Sequence, residues 1–271
     1  MPYSEYQPII LNPQLIEIFS RLRISDSEGR VFSNKRRKYR QVEAFSTHML
    51  KLLAEAPEDA RLTLVDFACG KSYVSFYVQA DKKVKQQNNI EIIGVDEDGG
   101  LVTKCNKIAG ESGYDNMHFY ASSIADFNLV GEEAPFLAYA LHACDTASDD
   151  AIAKAVEYGS RHILIAPCCA STDIKQIKAP GIKGELSTRL GETVVNSMRG
   201  LILEYMGYDV SISEFISQTN TPRNIMIAGH YSGRQNPEAW QKYEALKEMF
   251  GVERTPMLEQ YLAPRLEQMA R

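Results

Sequence analysis

Short, almost uninterrupted apolar runs recur through the middle of the chain, each followed by room for a helix. This alternation restricts the fold more than any other feature. Leu62-Thr-Leu-Val-Asp66 leads through a small-residue turn into a helix from Tyr73 to Gln79. Ile90-Glu-Ile-Ile-Gly-Val-Asp96 precedes a helix over Leu101–Ala109. His118-Phe-Tyr-Ala121, Phe136–Leu141 and His162–Ala166 follow, with a helix from about Asp149 to Tyr158 before the last of them. Strands that are apolar on both faces suit a parallel sheet covered by helices on both sides. The pattern predicts a doubly wound α/β fold. Val210–Ile216 and Asn224–Ala228 read as two further strands, separated only by Ser217–Arg223. That gap is too short for a crossover, so these two should be antiparallel.

The ends of the chain differ from its middle. Asn12-Pro13 is a cap and first-turn pair for a short helix through Leu22. Ser33 or Asn34 caps a longer helix to about Glu55, and the segment from Pro237 is helical. Leu190, Val194, Met198, Leu201, Ile202 and Tyr205 form one apolar helical stripe, with Gly207 just beyond it. The expected organisation is a helical extension over 1–60, a sheet domain over 61–233 and a C-terminal helical extension over 234–271, packed as one unit. A chain of 271 residues supports a large core without disulfide or metal. Its 30 basic and 35 acidic residues sum to −5, so any hold on nucleic acid must be a local patch, and no DNA partner is expected. Five cysteines, scattered except for Cys168-Cys169, make neither a disulfide framework nor a paired zinc motif. The start lacks a basic region followed by an apolar stretch, and no apolar run reaches membrane-spanning length. The expectation is a reduced, cytoplasmic, soluble protein.

In an open α/β sheet, ligands bind beyond the carboxyl ends of the strands. Four segments of this chain arrive at that edge. Asp66-Phe-Ala-Cys-Gly-Lys-Ser72 is a turn of small residues at a helix N-terminus, which admits a ligand close to the backbone, although only Gly70 is glycine. An ordinary tight turn is the alternative. Asp96 ends the next strand, where a carboxylate accepts hydrogen bonds from a ribose diol; a solvated acid beside Glu97 and Asp98 is the blander possibility. Leu141-His-Ala-Cys-Asp145 places an imidazole, a thiol and a carboxylate at the fourth strand end. Such a histidine is either a base or a structural residue. Pro167-Cys168-Cys169 ends the fifth strand, beside the fourth, so that Cys144 and the vicinal pair approach each other. Small, weakly polar pocket-lining cysteines are favoured over a zinc site made with His142.

With these residues the sequence resembles the class I S-adenosylmethionine-dependent methyltransferases. Within them it is similar to the methyltransferase-32-like branch, which carries Leu-His-x-Cys-Asp and Pro-Cys-Cys motifs and is distantly similar to transfer-RNA 2′-O-methyltransferases. The matching segments are Asn34–Gln41, Asp66–Tyr73, Leu141–Asp145 running on to Asp149, Pro167–Cys169 and Thr221–Asn224. The resemblance implies a Rossmann-like seven-stranded sheet with a terminal antiparallel hairpin. It also implies S-adenosylmethionine as cofactor; from the residues themselves no metal is expected, since no ligand pair has the usual spacing. Asp66, Ala68, Cys69 and Gly70 would meet the cofactor's methionine part, Asp96 the ribose, Ser123 and Ile124 the adenine, and Leu141, His142 and Ala143 the sulfonium. Lys38, Gln41, Cys168, Cys169, Arg223 and Asn224 would line the substrate side. Two glycines of the usual motif are Ala68 and Ser72 here, and Ala170 stands where relatives often carry a histidine.

His142 is expected to act as general base or substrate-orienting donor, with Asp145 fixing its tautomer or touching the substrate. Lys35-Arg-Arg-Lys-Tyr-Arg40 is the one dense basic run, able to neutralise phosphates while Tyr39 stacks on a base. Read as a helix face, Lys35, Arg36 and Arg37 are simply solvated. RNA, or else protein, is the first substrate expectation. A small-molecule methyltransferase, with Ser171–Gly184 as a lid, and a non-catalytic cofactor-binding module are the alternatives.

Overall fold

A computed structural model describes residues 8–57, 59–84, 90–129, 133–168, 171–254 and 256–269. The fold class is the one read from the sequence: α/β, Rossmann-like, with seven strands among the described residues and an antiparallel pair at the end. The chain divides into two compact units, Met1–Ser122 with Phe215–Asn224, and Ser123–Glu214 with Ile225–Arg271.

The first unit holds α1 (Pro13–Arg21), a 3₁₀ turn over Ser33–Lys35, α2 (Arg36–Glu55), β1 (Leu62–Phe67), α3 (Tyr73–Val84), β2 (Ile90–Asp96), α4 (Gly99–Glu111) and β3 (Met117–Ala121). Its strands run parallel in the order β3-β2-β1, with Leu62 opposite Ile90 and Ile92 opposite Met117. Leu64, Val65, Phe67, Ile92 and Val95 are buried, as strands covered on both faces require, and Phe76 of α3 is buried with them. Gly94 has a packing reason, since a Cβ there would lie 2.3 Å from the Phe119 ring. On α2, Phe45 packs edge-on against Phe215 at 5.9 Å, anchoring the 215–224 loop.

The second unit holds β4 (Leu137–Leu141), α5 (Thr146–Glu157), β5 (His162–Ala166), the single turn α6 (Ser171–Ile174), α7 (Glu185–Tyr205), β6 (Tyr208–Glu214), β7 (Ile225–Tyr231), α8 (Pro237–Met249) and α9 (Met257–Met269). Its order is β4-β5-β7-β6, with β4 and β5 parallel and β7 antiparallel to both neighbours. The predicted hairpin is therefore present, and Ile212 pairs with Ile227. Among the described residues no helix is long and apolar enough to cross a membrane.

Candidate active site

In the first unit the turn after β1 carries unusual backbone. Ala68, Gly70 and Ser72 all have positive φ, at 52°, 55° and 51°. Two of the three are not glycine, and such conformations persist only where surrounding contacts hold them. Those contacts are specific. Asp66, 4% exposed, accepts hydrogen bonds from Ser72 Oγ (2.8 Å) and Ser75 Oγ on one carboxylate oxygen. Cys69 N–H donates to the Val95 carbonyl at 3.0 Å, and Gly70 N–H donates to Asp96 Oδ2 at 2.7 Å. Burial pushes the Asp66 carboxyl up to about 7; its serine bonds oppose the rise and the Asp96 charge adds to it. Burial also raises the Cys69 thiol, and lifts Cys105 to about 12, so both stay protonated and unreactive.

The structure also separates the three consecutive acids. Asp98 caps α4, accepting from the backbone N–H groups of Gly100 and Leu101. Glu97 and Asp98 are exposed, whereas Asp96 is half-buried and turned to the β1 turn, with Oδ1 accepting the Asp98 N–H at 3.0 Å. Two accepted bonds leave about half of this carboxylate's acceptor capacity. No atom lies within 4 Å of where a Gly70 Cβ would sit, so the turn opens onto free space. A free acceptor pair on Asp96 beside that space fits a ribose diol.

A cluster of cations surrounds the same turn. Desolvation, then Lys104, Lys35 and Arg23, lower the Lys71 ammonium. Desolvation, then Lys35 and Lys71, lower that of Lys38, whose Nζ lies 5.3 Å from the Tyr73 ring centre. Among the described residues no carboxylate pairs with any of these five. Lys71, Lys104 and Arg23 are scattered in sequence, and their part in the cluster was invisible there. Tyr39 departs from its expected role. It is 3% exposed, packs edge-on against Phe19 and donates to Glu43 Oε1 at 3.0 Å, so it is a core residue that cannot stack on a base. Its place on the inward side of α2, facing α1, decides this. Gln41 is buried and donates to the Asn220 carbonyl at 3.3 Å, while Asn224 Nδ2 donates to the Ile216 carbonyl at 2.8 Å. Both amides shape the 215–224 loop; Arg223 is exposed on it.

In the second unit the strained positions are His142 (φ 69°) and Asp145 (φ 51°), at the exit of β4. His142 N–H continues the parallel ladder by donating to the Ala166 carbonyl at 3.0 Å. Ser148 Oγ donates to the Ala143 carbonyl at 2.7 Å. His142 and Asp145 are half-buried and Leu141 closes the strand. One cysteine pair corrects the sequence expectation of reduced thiols, while Cys69 and Cys105 are free. Cys144 and Cys168 are joined as a disulfide, with Cα atoms 5.4 Å apart, because β4 and β5 leave the sheet side by side. Cys169, and Ala170 after it, lie outside the described residues. In the turn after β3, Ser123 Oγ donates to Asp126 Oδ2 at 2.6 Å, and Ile124 is buried.

A family model described as a methyltransferase domain matches residues 37–175, just over half of the chain. No curated protein matches it. Solved structures are similar in fold. Magnesium protoporphyrin IX methyltransferase from Synechocystis PCC 6803, with bound S-adenosylmethionine, is 14% identical over 83% of this chain and 100% of that one, at a TM-score of 0.47. An rRNA methylase from Streptococcus thermophilus is 15% identical over 69% and 96%, at 0.46. Aeropyrum pernix fibrillarin, with natively bound S-adenosylmethionine, is 12% identical over 69% and 76%, at 0.44.

Proposed function

Because this chain belongs to the methyltransferase-domain family and is a class I S-adenosylmethionine-dependent methyltransferase, we propose that its substrate is RNA. The observation carrying this is the group of Arg23, Lys35, Lys38, Lys71 and Lys104 around the β1 turn of a chain whose net charge is −5. Unpaired cations held together despite mutual repulsion suit a polyanion, whose phosphates release counterions on binding. The segment 171–184, whose closure as a lid would favour a small-molecule substrate, is fastened to the C-terminal helices. Asp173 Oδ2 accepts the Met257 N–H at 3.2 Å, and Lys178 N–H donates to the Phe250 carbonyl at 2.8 Å. The cytoplasm is the compartment this reading assumes.

The cofactor supplies a methyl group on a sulfonium, already activated for in-line displacement. Asp96 would hold the ribose through the acceptor positions that the Gly70 and Asp98 N–H groups leave. The turn from Asp66 to Gly70, with Cys69 at its base, would receive the methionine portion. His142 takes the proton from the attacking hydroxyl, and Asp145 orients the imidazole. Lys38 and Lys71 bind phosphate.

The test is transfer of labelled methyl from S-adenosylmethionine to total RNA, with protein and small-molecule fractions as parallel acceptors. Label in RNA, reduced together with the salt slope of RNA affinity by Lys71→Glu/Lys104→Glu, supports the reading. The slope should fall by about 2, since each lysine neutralises one phosphate. Label confined to another fraction overturns it.

A further inference from the structure

Arg199 sits where an arginine is least expected. It lies on the apolar stripe of α7 among Val195, Met198 and Ile202, is 2% exposed, and heads the largest fully buried side chains. Its guanidinium grips Asp149 bidentately, Nε to Oδ1 at 2.8 Å and Nη2 to Oδ2 at 2.7 Å. Nη1 donates to Asn196 Oδ1 at 3.0 Å, and Nη2 reaches the Asp145 carbonyl at 3.4 Å. Burying an ion pair is a poor way to gain stability, since desolvation offsets the attraction and a well-packed apolar pair often does as well. What the pair holds is more informative than what it contributes to stability.

It holds the turn that carries His142. Asp145 is the residue before α5, with φ 51° and ψ −121°, and its side chain makes no capping bond. Asp149 lies in the first turn of that helix. The chain from His142 to Asp145 thus contains two non-glycine residues at positive φ, conformations that persist only where their surroundings determine them. Within the turn, local bonds come from Ser148 to the Ala143 carbonyl and from Ala147 N–H to the Cys144 carbonyl, while the His142 N–H bond to Ala166 and the Cys144–Cys168 disulfide tie its first half to β5 and the residues after it. Arg199 adds a constraint from a distant helix. One planar fork fixes the helix through Asp149 and, through the Asp145 carbonyl, the peptide at which the helix begins.

We propose that Arg199 and Asp149 are positioning residues for methyl transfer, which set the backbone of the His142–Asp145 turn without touching the reactants. The catalytic consequence rests on the methyltransferase reading above; the structural one does not. The decisive variant is the double substitution Arg199→Met/Asp149→Leu, which replaces the ion pair with apolar groups of similar volume. Its melting temperature should not fall, yet amide hydrogen exchange over residues 141–149 should quicken at least tenfold while exchange in β5 and β7 is unchanged. In the RNA methylation assay kcat should fall at least tenfold, with KM for S-adenosylmethionine within twofold of the wild type. Should the double variant not fold, Arg199→Lys keeps the charge opposite Asp149 but lacks the fork, and the same acceleration over 141–149 is expected. Wild-type exchange over this segment in a folded variant overturns the proposal. If the wild type transfers no methyl to RNA, the function reading fails by itself, and the exchange measurement still decides the role of Arg199.

Discussion

The buried carboxyl of Asp66 should make stability fall as pH rises through a range in which most proteins gain it. Burial raises this group from 3.8 to about 7. At about 1.36 kcal/mol per pH unit, that shift corresponds to about 4 kcal/mol of stability lost across the whole window. The sign follows from proton counting. Below pH 4 the folded and unfolded chains both hold the proton. Between about pH 4 and pH 7 the unfolded chain ionises and the folded one does not, so unfolding is favoured progressively. Above pH 7 both are ionised and the contribution levels off. Between pH 5 and pH 8 the Asp66 share is roughly 2–3 kcal/mol. Asp66→Asn cannot ionise, yet it keeps a carbonyl oxygen to accept from Ser72 and Ser75. Urea unfolding at pH 5 and pH 8, for wild type and variant, isolates the term as a difference of differences, since every other titrating group cancels. The wild type should lose roughly 2–3 kcal/mol more than Asp66→Asn on going to pH 8. Equal pH dependence in the two proteins would refute the reasoning and mean that Asp66 is ionised in the fold.

Other consequences follow from the same geometry. Asp96→Ala removes a charged hydrogen-bond acceptor of about 1.5–3 kcal/mol; calorimetry should show S-adenosylhomocysteine affinity falling roughly 10–100-fold, with NADH a non-binding control, and unchanged affinity would place the ribose elsewhere. His142→Ala should lower turnover by about 10²–10⁴-fold, the usual range for a missing general base, while cofactor affinity stays nearly intact; the reverse pattern would remove His142 from the chemistry. Cys144 and Cys168 are 24 residues apart, so Cys144→Ser should lose about 3 kcal/mol against the oxidised wild type. Added reductant should abolish that difference in urea unfolding, and a difference that survives reduction would mean that the bond is not what separates the two proteins.

Much of the candidate site was legible because its signals are local. A carboxylate at a strand end, a small-residue turn and a histidine beside an aspartate are all readable from neighbouring positions. The gap read between the last two strands, Ser217–Arg223, excluded a crossover, and β6 and β7 are antiparallel as that required, although the strands sit so that residues 215–224 join them. Side-chain direction was less accessible. Tyr39 stands in a basic run, yet helical geometry turns it inward against Phe19 while its neighbours stay at the surface. Gln41 and Asn224 look like substrate ligands in sequence, and their amide donors are used to close a loop. Arg199 carried no signal at all, being one cation on an otherwise apolar stripe.

The order of apolar runs, the capping residues and the turn lengths determined the element sequence and the α/β class, because burial and backbone geometry act over a few residues at a time. Tertiary structure alone decided that Cys144 and Cys168, expected only to approach each other, are joined. It also decided that Lys71, Lys104 and Arg23 join Lys35 and Lys38, and that Arg199 reaches the Asp145 carbonyl. Each of these depends on distances between residues remote in the chain, which strand register and helix packing set and spacing along the sequence does not encode.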